Sequence, residues 1–182
     1  MDETPRQLVH LLFGLAISAA IALIDRPTML SIMMIALFFG VLLSDALSRG
    51  YHIKGVSPLV ELLERRDVLP GKGAILFLLS ALICLFFFNT QVVVPAVLAL
   101  AVLDGVATLF GIRYGTHRIY NGKSLEGAGA GITAAALVLL LLLPPVYALA
   151  AAVLAGVIEL VAPLDDNLLI PPCICLLLTL LA

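Results

Sequence analysis

Long uncharged stretches follow one another along this chain and leave it few ways to fold. Runs 7–24, 28–47, 73–90, 91–112, 127–143 and 145–162 are each long enough to cross a bilayer, or nearly so. A seventh run, 169–182, has only 14 residues. A full crossing takes roughly 20 apolar residues, so this last run predicts a tilted or partly buried helix, or one that starts before Pro171. In hydrocarbon only helices and closed barrels satisfy every backbone donor and acceptor, and the runs show no period-2 alternation. The expectation is therefore all-α: a polytopic bundle of about seven membrane helices, with residues 1–182 forming one integral-membrane domain.

Composition agrees. The chain is 63% hydrophobic and 12% charged, with a mean hydropathy of +1.19, whereas soluble domains are about 45–50% apolar and about 25% charged. The longest polar interval, Ser44 to Lys72, is too short for a second domain. A net charge of −2 and the absence of a basic tail exclude a nucleic-acid footprint. Cys84, Cys173 and Cys175 all lie in apolar runs and define no disulfide framework. Asp2 and Glu3 outnumber Arg6 ahead of the first run, and no polar cleavage region follows it. It reads as a retained span, not a signal peptide. No internal repeat supports an inverted-repeat transporter.

The connections fall on two sides. Asp25-Arg26-Pro27, Asn89-Thr90-Gln91 and Pro144-Pro145 are tight turns on one side, called far. The N-terminus and loops 44–72, 113–126 and 163–168 lie on the other, called near. Arg26 is the one far-side cation; Arg6, Arg49, Lys54, Arg65, Arg66, Lys72, Arg113, Arg118 and Lys123 are near. The positive-inside rule makes the near side cytoplasmic. His10, His52 and His117 also fall there. Chemistry confined to one face suits a membrane enzyme with a cytosolic substrate, while a pore needs polar residues along its length. Within the 44–72 loop, Ser57-Pro58 begins a short helix signal whose Leu59, Val60, Leu62 and Leu63 form one stripe, as an interfacial helix requires. Glu61 and Arg65 form an i,i+4 pair on it. Arg65, Arg66 and Lys72 are candidate phosphate contacts.

Four groups of residues can carry chemistry on that face. Arg6 and His10 share one side of the first helix. Asp104 stands inside an apolar run, where a carboxylate costs about 2.5–3.5 kcal/mol on insertion scales and normally faces protein or a polar cavity. Arg113, His117 and Arg118 follow it to the surface. Gly105, Thr108, Gly111 and Gly115 around Asp104 suit either close helix packing or substrate approach.

The third group is Asn121-Gly122-Lys123-Ser124-Leu125-Glu126-Gly127, with Gly129 and Gly131 beyond. Asn121-Gly122 reads as a turn and Ser124 as a helix cap, and the free N–H groups of a helix start favour an anion. The Gly-Lys-Ser triplet is no phosphate-binding loop of the Walker type, because His117 stands where that loop needs Gly and no strand precedes it. The fourth group is Glu159 with Asp165-Asp166-Asn167, an oxygen-rich set that suits Mg²⁺ shared with a phosphate.

Taken together, Arg6-x-x-x-His10, Asp104-Gly105-x-Ala107 with Gly111-x-x-x-Gly115, Lys123-Ser124-x-Glu126-Gly127, and Glu159 before Asp165-Asp166-Asn167 and Pro171 resemble the CTP-dependent polyprenol kinases. That family includes dolichol kinase, phytol kinase and a CTP-using diacylglycerol kinase. Gln7 stands where the family often has Lys, and Leu103 where it often has Gly. The resemblance implies transfer of the γ-phosphoryl of CTP, with Mg²⁺, to the primary hydroxyl of a membrane lipid alcohol. It implies catalytic roles for Asp104, Lys123, Glu126 and Asp166, and metal contacts from Glu159, Asp165, Asp166, Asn167 and Asp104. Nucleotide contacts are expected from Arg6, His10, Arg65, Arg66, Lys72, Arg113, Arg118, Lys123, Ser124 and Gly127. Asp104 either takes the hydroxyl proton or joins the metal ligands. The alternatives are a CTP-dependent cytidylyltransferase making a CDP-lipid and a small ion-coupled transporter relaying through Asp104 and Glu159.

Overall fold

Every apolar run becomes a helix, and the turn chemistry sets most of the ends. The computed structural model describes residues 3–55, 69–119 and 122–181. Among these lie seven helices: α1 Glu3–Leu23, α2 Arg26–Ser48, α3 Lys72–Phe87, α4 Thr90–Tyr114, α5 Leu125–Leu139, α6 Pro145–Val161 and α7 Asp166–Leu181. No strand occurs among the described residues; Arg118 and Ser124 form an isolated bridge. Three helices (α1, α2 and α4) are long and apolar enough to cross a membrane, and the other four are shorter and equally apolar. The helix signal from Ser57 to Arg66 lies outside the described residues.

Local chemistry explains the ends. Asp25 caps α2 by accepting from the Thr28 N–H at 3.1 Å, with Pro27 in the first turn. Arg26 donates to the Leu85 and Phe86 carbonyls at 2.9 and 2.7 Å, so the isolated far-side cation closes the C-terminus of α3. Helix α5 stops at Leu139, four residues before its run ends, because Pro144 and Pro145 supply no further N–H donors. Helix α7 starts at Asp166, ahead of Pro171, and continues through both prolines. Pro172 cannot donate to the Leu168 carbonyl four residues back. The buried Ser80 hydroxyl of α3 takes that carbonyl instead, at 3.0 Å.

Helix α4 is the axis of the bundle and packs against α1, α3, α5, α6 and α7. Its Ala96, Val97, Leu100 and Leu103 are fully buried. In lipid, helices gain little from hiding apolar surface from one another, so close contact between small residues holds them. The α4–α5 seam shows this: a Cβ on Gly127 would stand 2.5 Å from the Ala107 carbonyl oxygen, and one on Gly131 2.8 Å from that of Leu103. Gly14 of α1 likewise admits Ala101. Of the glycines left ambiguous by sequence, Gly105 packs against Leu11 and Gly111 against the Ser124 turn; Gly127 and Gly131 fill the α4–α5 seam, while Gly129 faces open space. Phe39, Phe86, Leu141 and Leu180 stand exposed around the outside, as a lipid-facing surface requires.

Candidate functional site

Lys123 stands just ahead of the Ser124 cap, whose Oγ accepts from the Gly127 N–H at 3.1 Å. Gly122 turns the chain with a φ of 75°, which favours glycine; Asn121 lies outside the described residues. The turn projects Lys123 inward. Its Nζ donates to Asp166 Oδ2 and lies 3.6 Å from Glu159 Oε1. Burial alone would pull the Lys123 ammonium down, but Asp166, then Glu159 and Asp104, outweigh it and hold the group above the ordinary lysine range. Lys72 pairs with Asp165 at 3.2 Å. Asn167 Nδ2 donates to Asp165 Oδ1 at 3.1 Å, and the Asn167 N–H donates to Asp166 Oδ1 at 3.0 Å.

Asp104 adds the deepest carboxylate, ten residues before α4 ends at Tyr114. Its Oδ2 lies 3.4 Å from His10 Nε2, and Thr108 donates to its Oδ1 at a long 3.5 Å. The His10 ring stands edge-on to Phe77, with centroids 5.5 Å apart. Arg6 is within electrostatic reach of Asp104. The first, second and fourth sequence groups, with Lys123 from the third, therefore converge at one end of the bundle.

The rest of the third group does not. Glu126 turns onto its own loop, accepting from the Thr116 hydroxyl at 2.5 Å and from the Thr116 and His117 N–H groups at 3.1 and 3.2 Å; His117 Nδ1 lies 2.6 Å from it. The Thr116 hydroxyl and then His117 hold this carboxylate, ahead of the 127–143 run, well below the usual glutamate range. Glu126 thus ties the start of α5 to Thr116 and His117. Arg118 donates to the Gly122 carbonyl at 2.7 Å, Arg113 lies over the Tyr114 ring, and the Ser124 hydroxyl and Gly127 are buried in the α4–α5 seam. Arg65 and Arg66 lie outside the described residues.

Among the described residues no three His, Cys, Asp or Glu side chains gather as a ready metal site. The carboxylates share the Lys123 ammonium instead. Their chemistry nonetheless fits a hard cation. Glu159 is only 5% exposed, and Glu159 Oε2 and Asn167 Oδ1 are buried acceptors without a donor. Sequence reasoning gave no function to Gln7, 4% exposed, or to Ser80. A polar side chain inside an apolar helix was the available signal for both.

The opposite end differs in kind. A groove of about 570 Å³ there is lined by residues such as Gln91, Val94, Leu143, Tyr147 and Leu178, with no Asp, Glu, Lys or Arg.

No family model matches the chain. No solved structure matches it either. The uncharacterized protein MJ1137 of Methanocaldococcus jannaschii is 33% identical over 175 residues, which cover 94% of this chain and 90% of that protein. The chain belongs to the same family as MJ1137.

Proposed function

We propose that the chain is a multi-pass membrane enzyme with its polar end at the cytoplasmic face, transferring the γ-phosphoryl of CTP to the primary hydroxyl of a membrane lipid alcohol. The observation that carries this reading is the cluster of Asp104, Glu159 and Asp166 around one lysine, with buried acceptors still unpaired. Phosphoryl transfer asks a protein mainly to position its reactants and neutralise charge. The lipid oxygen bonds to the γ-phosphorus as the bond to the β-phosphate oxygen breaks, CDP leaves, and the hydroxyl proton passes to Asp104 or to water.

Lys123 and Lys72 are the cations that turn toward the triphosphate, with Arg6 behind them. As they do, Asp165, Asp166 and Glu159 lose their counter-ions. A magnesium ion held by those carboxylates and Asn167 would supply charge neutralisation at the phosphates. Glu126 holds Thr116 and His117 against the start of α5, beside Lys123.

Purified protein given γ-labelled CTP and a panel of lipid alcohols tests this. The expected product carries phosphate but no cytosine, with CDP released. Pyrophosphate and a CDP-lipid would establish a cytidylyltransferase instead. Single cysteines at His52, His117 and Asn167 in a cysteine-free background should all label from the cytosolic side. Labelling of His117 and Asn167 from opposite sides would end the one-faced reading.

A further inference from the structure

Helix α5 stops short at the far end, and the groove there is the space it leaves. Gly127 meets the Ala107 carbonyl and Gly131 that of Leu103. This antiparallel register brings Leu139, the last residue of α5, level with Pro95. Helix α4 therefore runs past it from Thr90 to Val94. Leu142, Leu143 and Tyr147 line one side of the gap, with Ala22 of α1 and Leu178 of α7 on the others. Its volume of about 570 Å³ falls in the roughly 300–1,000 Å³ range of ligand sites.

The groove is rich in acceptors and poor in donors. Helices α1, α3, α5 and α7 all end on the far side, so four sets of C-terminal carbonyls, with their partial negative charge, gather there. Arg26 closes the set on α3, and the Tyr147 hydroxyl donates to the Leu181 carbonyl of α7. The last turns of α1, α5 and α7 hold no Lys or Arg among the described residues. Within α4, Pro95 offers no N–H to the Gln91 carbonyl, and both residues line the groove. In apolar surroundings such acceptors are costly until a donor arrives. The walls set the rest of the ligand. Val92, Val94, Leu143 and Leu178 are apolar, and a metal ion would find no carboxylate among the lining residues. An amphiphile answers both demands, with N–H donors at the mouth and an apolar chain along the wall.

We infer that this groove binds a phospholipid of the far leaflet through a primary ammonium head, as in phosphatidylethanolamine, with one acyl chain against Val94, Leu143 and Leu178. The ammonium does for the α5 and Gln91 carbonyls what Arg26 does for those of α3. The site rests on the membrane-spanning reading and not on the kinase one. It lies at the opposite end of the bundle from Lys123 and Asp104, so its lipid is a resident and not the phosphoryl acceptor.

Native mass spectrometry tests this, on the purified full chain in detergent holding equal amounts of dioleoyl phosphatidylethanolamine and dioleoyl phosphatidylcholine. Both heads carry a positive charge, but choline has no N–H. The parent should retain the ethanolamine lipid over the choline lipid by about tenfold, the effect of one charge-assisted hydrogen bond partly open to water. The N,N-dimethyl form of the ethanolamine head keeps one N–H and should keep the preference. Leu142→Lys tethers an ammonium beside the α5 carbonyls and should cancel it, as should Val94→Trp by filling the groove. Leu180→Trp, on the outer surface, should change nothing. If Val94→Trp misfolds, Leu142→Lys decides alone. Equal retention of both lipids by the parent, or full preference in Leu142→Lys, overturns the inference. A dimer that Val94→Trp splits would give the groove to a second copy and overturn it too. Release of the chain from membranes without detergent would sink the membrane-spanning reading itself, whereas an embedded chain without preference sinks the groove alone.

Discussion

Helices α2 and α4 have nearly the same length, 23 and 25 residues, and both are apolar enough to cross a membrane. Yet 61% of the apolar stretch of α4 is buried against 6% of that of α2. In water that contrast would mark α2 as misplaced. In lipid it marks a division of labour, because apolar side chains lose little by facing acyl chains. Helix α4 is held by glycine and alanine contacts and carries Asp104. Helix α2 buries only Met29 and Met33 and needs little beyond length and greasiness. Sequence constraint should follow contact with protein, not hydrophobicity.

The largest effect should come from Asp104→Asn on α4. It keeps shape and removes the charge, so on the proposed kinase reading kcat/KM for phosphoryl transfer should fall at least about a hundredfold, about 2.7 kcal/mol, with the fold intact. Met34→Leu on the exposed face of α2 should leave turnover unchanged, and similar losses in both would erase the distinction. Next come two glycine-to-alanine changes of opposite sign, read by thermal unfolding in one detergent. Gly131→Ala would press a methyl against the Leu103 carbonyl and Ala107, and should destabilise by about 1–3 kcal/mol. Gly40→Ala on α2 has its nearest foreign atom 3.9 Å away and should stabilise by up to about 1 kcal/mol. A loss at Gly40 would mean that α2 meets a partner.

Smaller still, Ser80→Ala should cost about 1 kcal/mol by leaving the Leu168 carbonyl without its donor. The smallest effect concerns acid. Because Glu126 titrates below its unfolded value, its contribution is complete above about pH 4.5 and is lost as pH falls toward the folded value. Glu126→Gln should therefore flatten the acid limb of the melting-temperature profile without moving the alkaline one. An unchanged acid limb would detach Glu126 from the loop's stability.

Much of this architecture is legible in the chain. Seven apolar runs give seven helices because lipid permits few alternatives. Asp25 and Ser124 announce their caps because capping is local. The site is legible only as residue types gathered on one face. That Lys123 joins Asp166 across 43 positions, or that Glu126 faces Thr116 and His117, depends on helix rotation. No short-range signal fixes such rotation. The glycines at 127 and 131 stay open in the sequence for the same reason: room for a ligand and room for a neighbouring helix look alike until α4 fills the space.

The pairs Lys72–Asp165 and Lys123–Asp166 join α7, or the residue before it, to parts of the chain made earlier. During synthesis, therefore, α1 to α6 emerge with both lysines lacking these partners. On the proposed orientation, these cations add to the positive charge that keeps the near-side loops from crossing, with Glu159 of α6 the one carboxylate among the described residues already beside Lys123. Arrival of α7 then quenches them, as Ser80 of α3 closes on Leu168. On the proposed topology and function, the same lysines would serve orientation before α7 is made and the site after it.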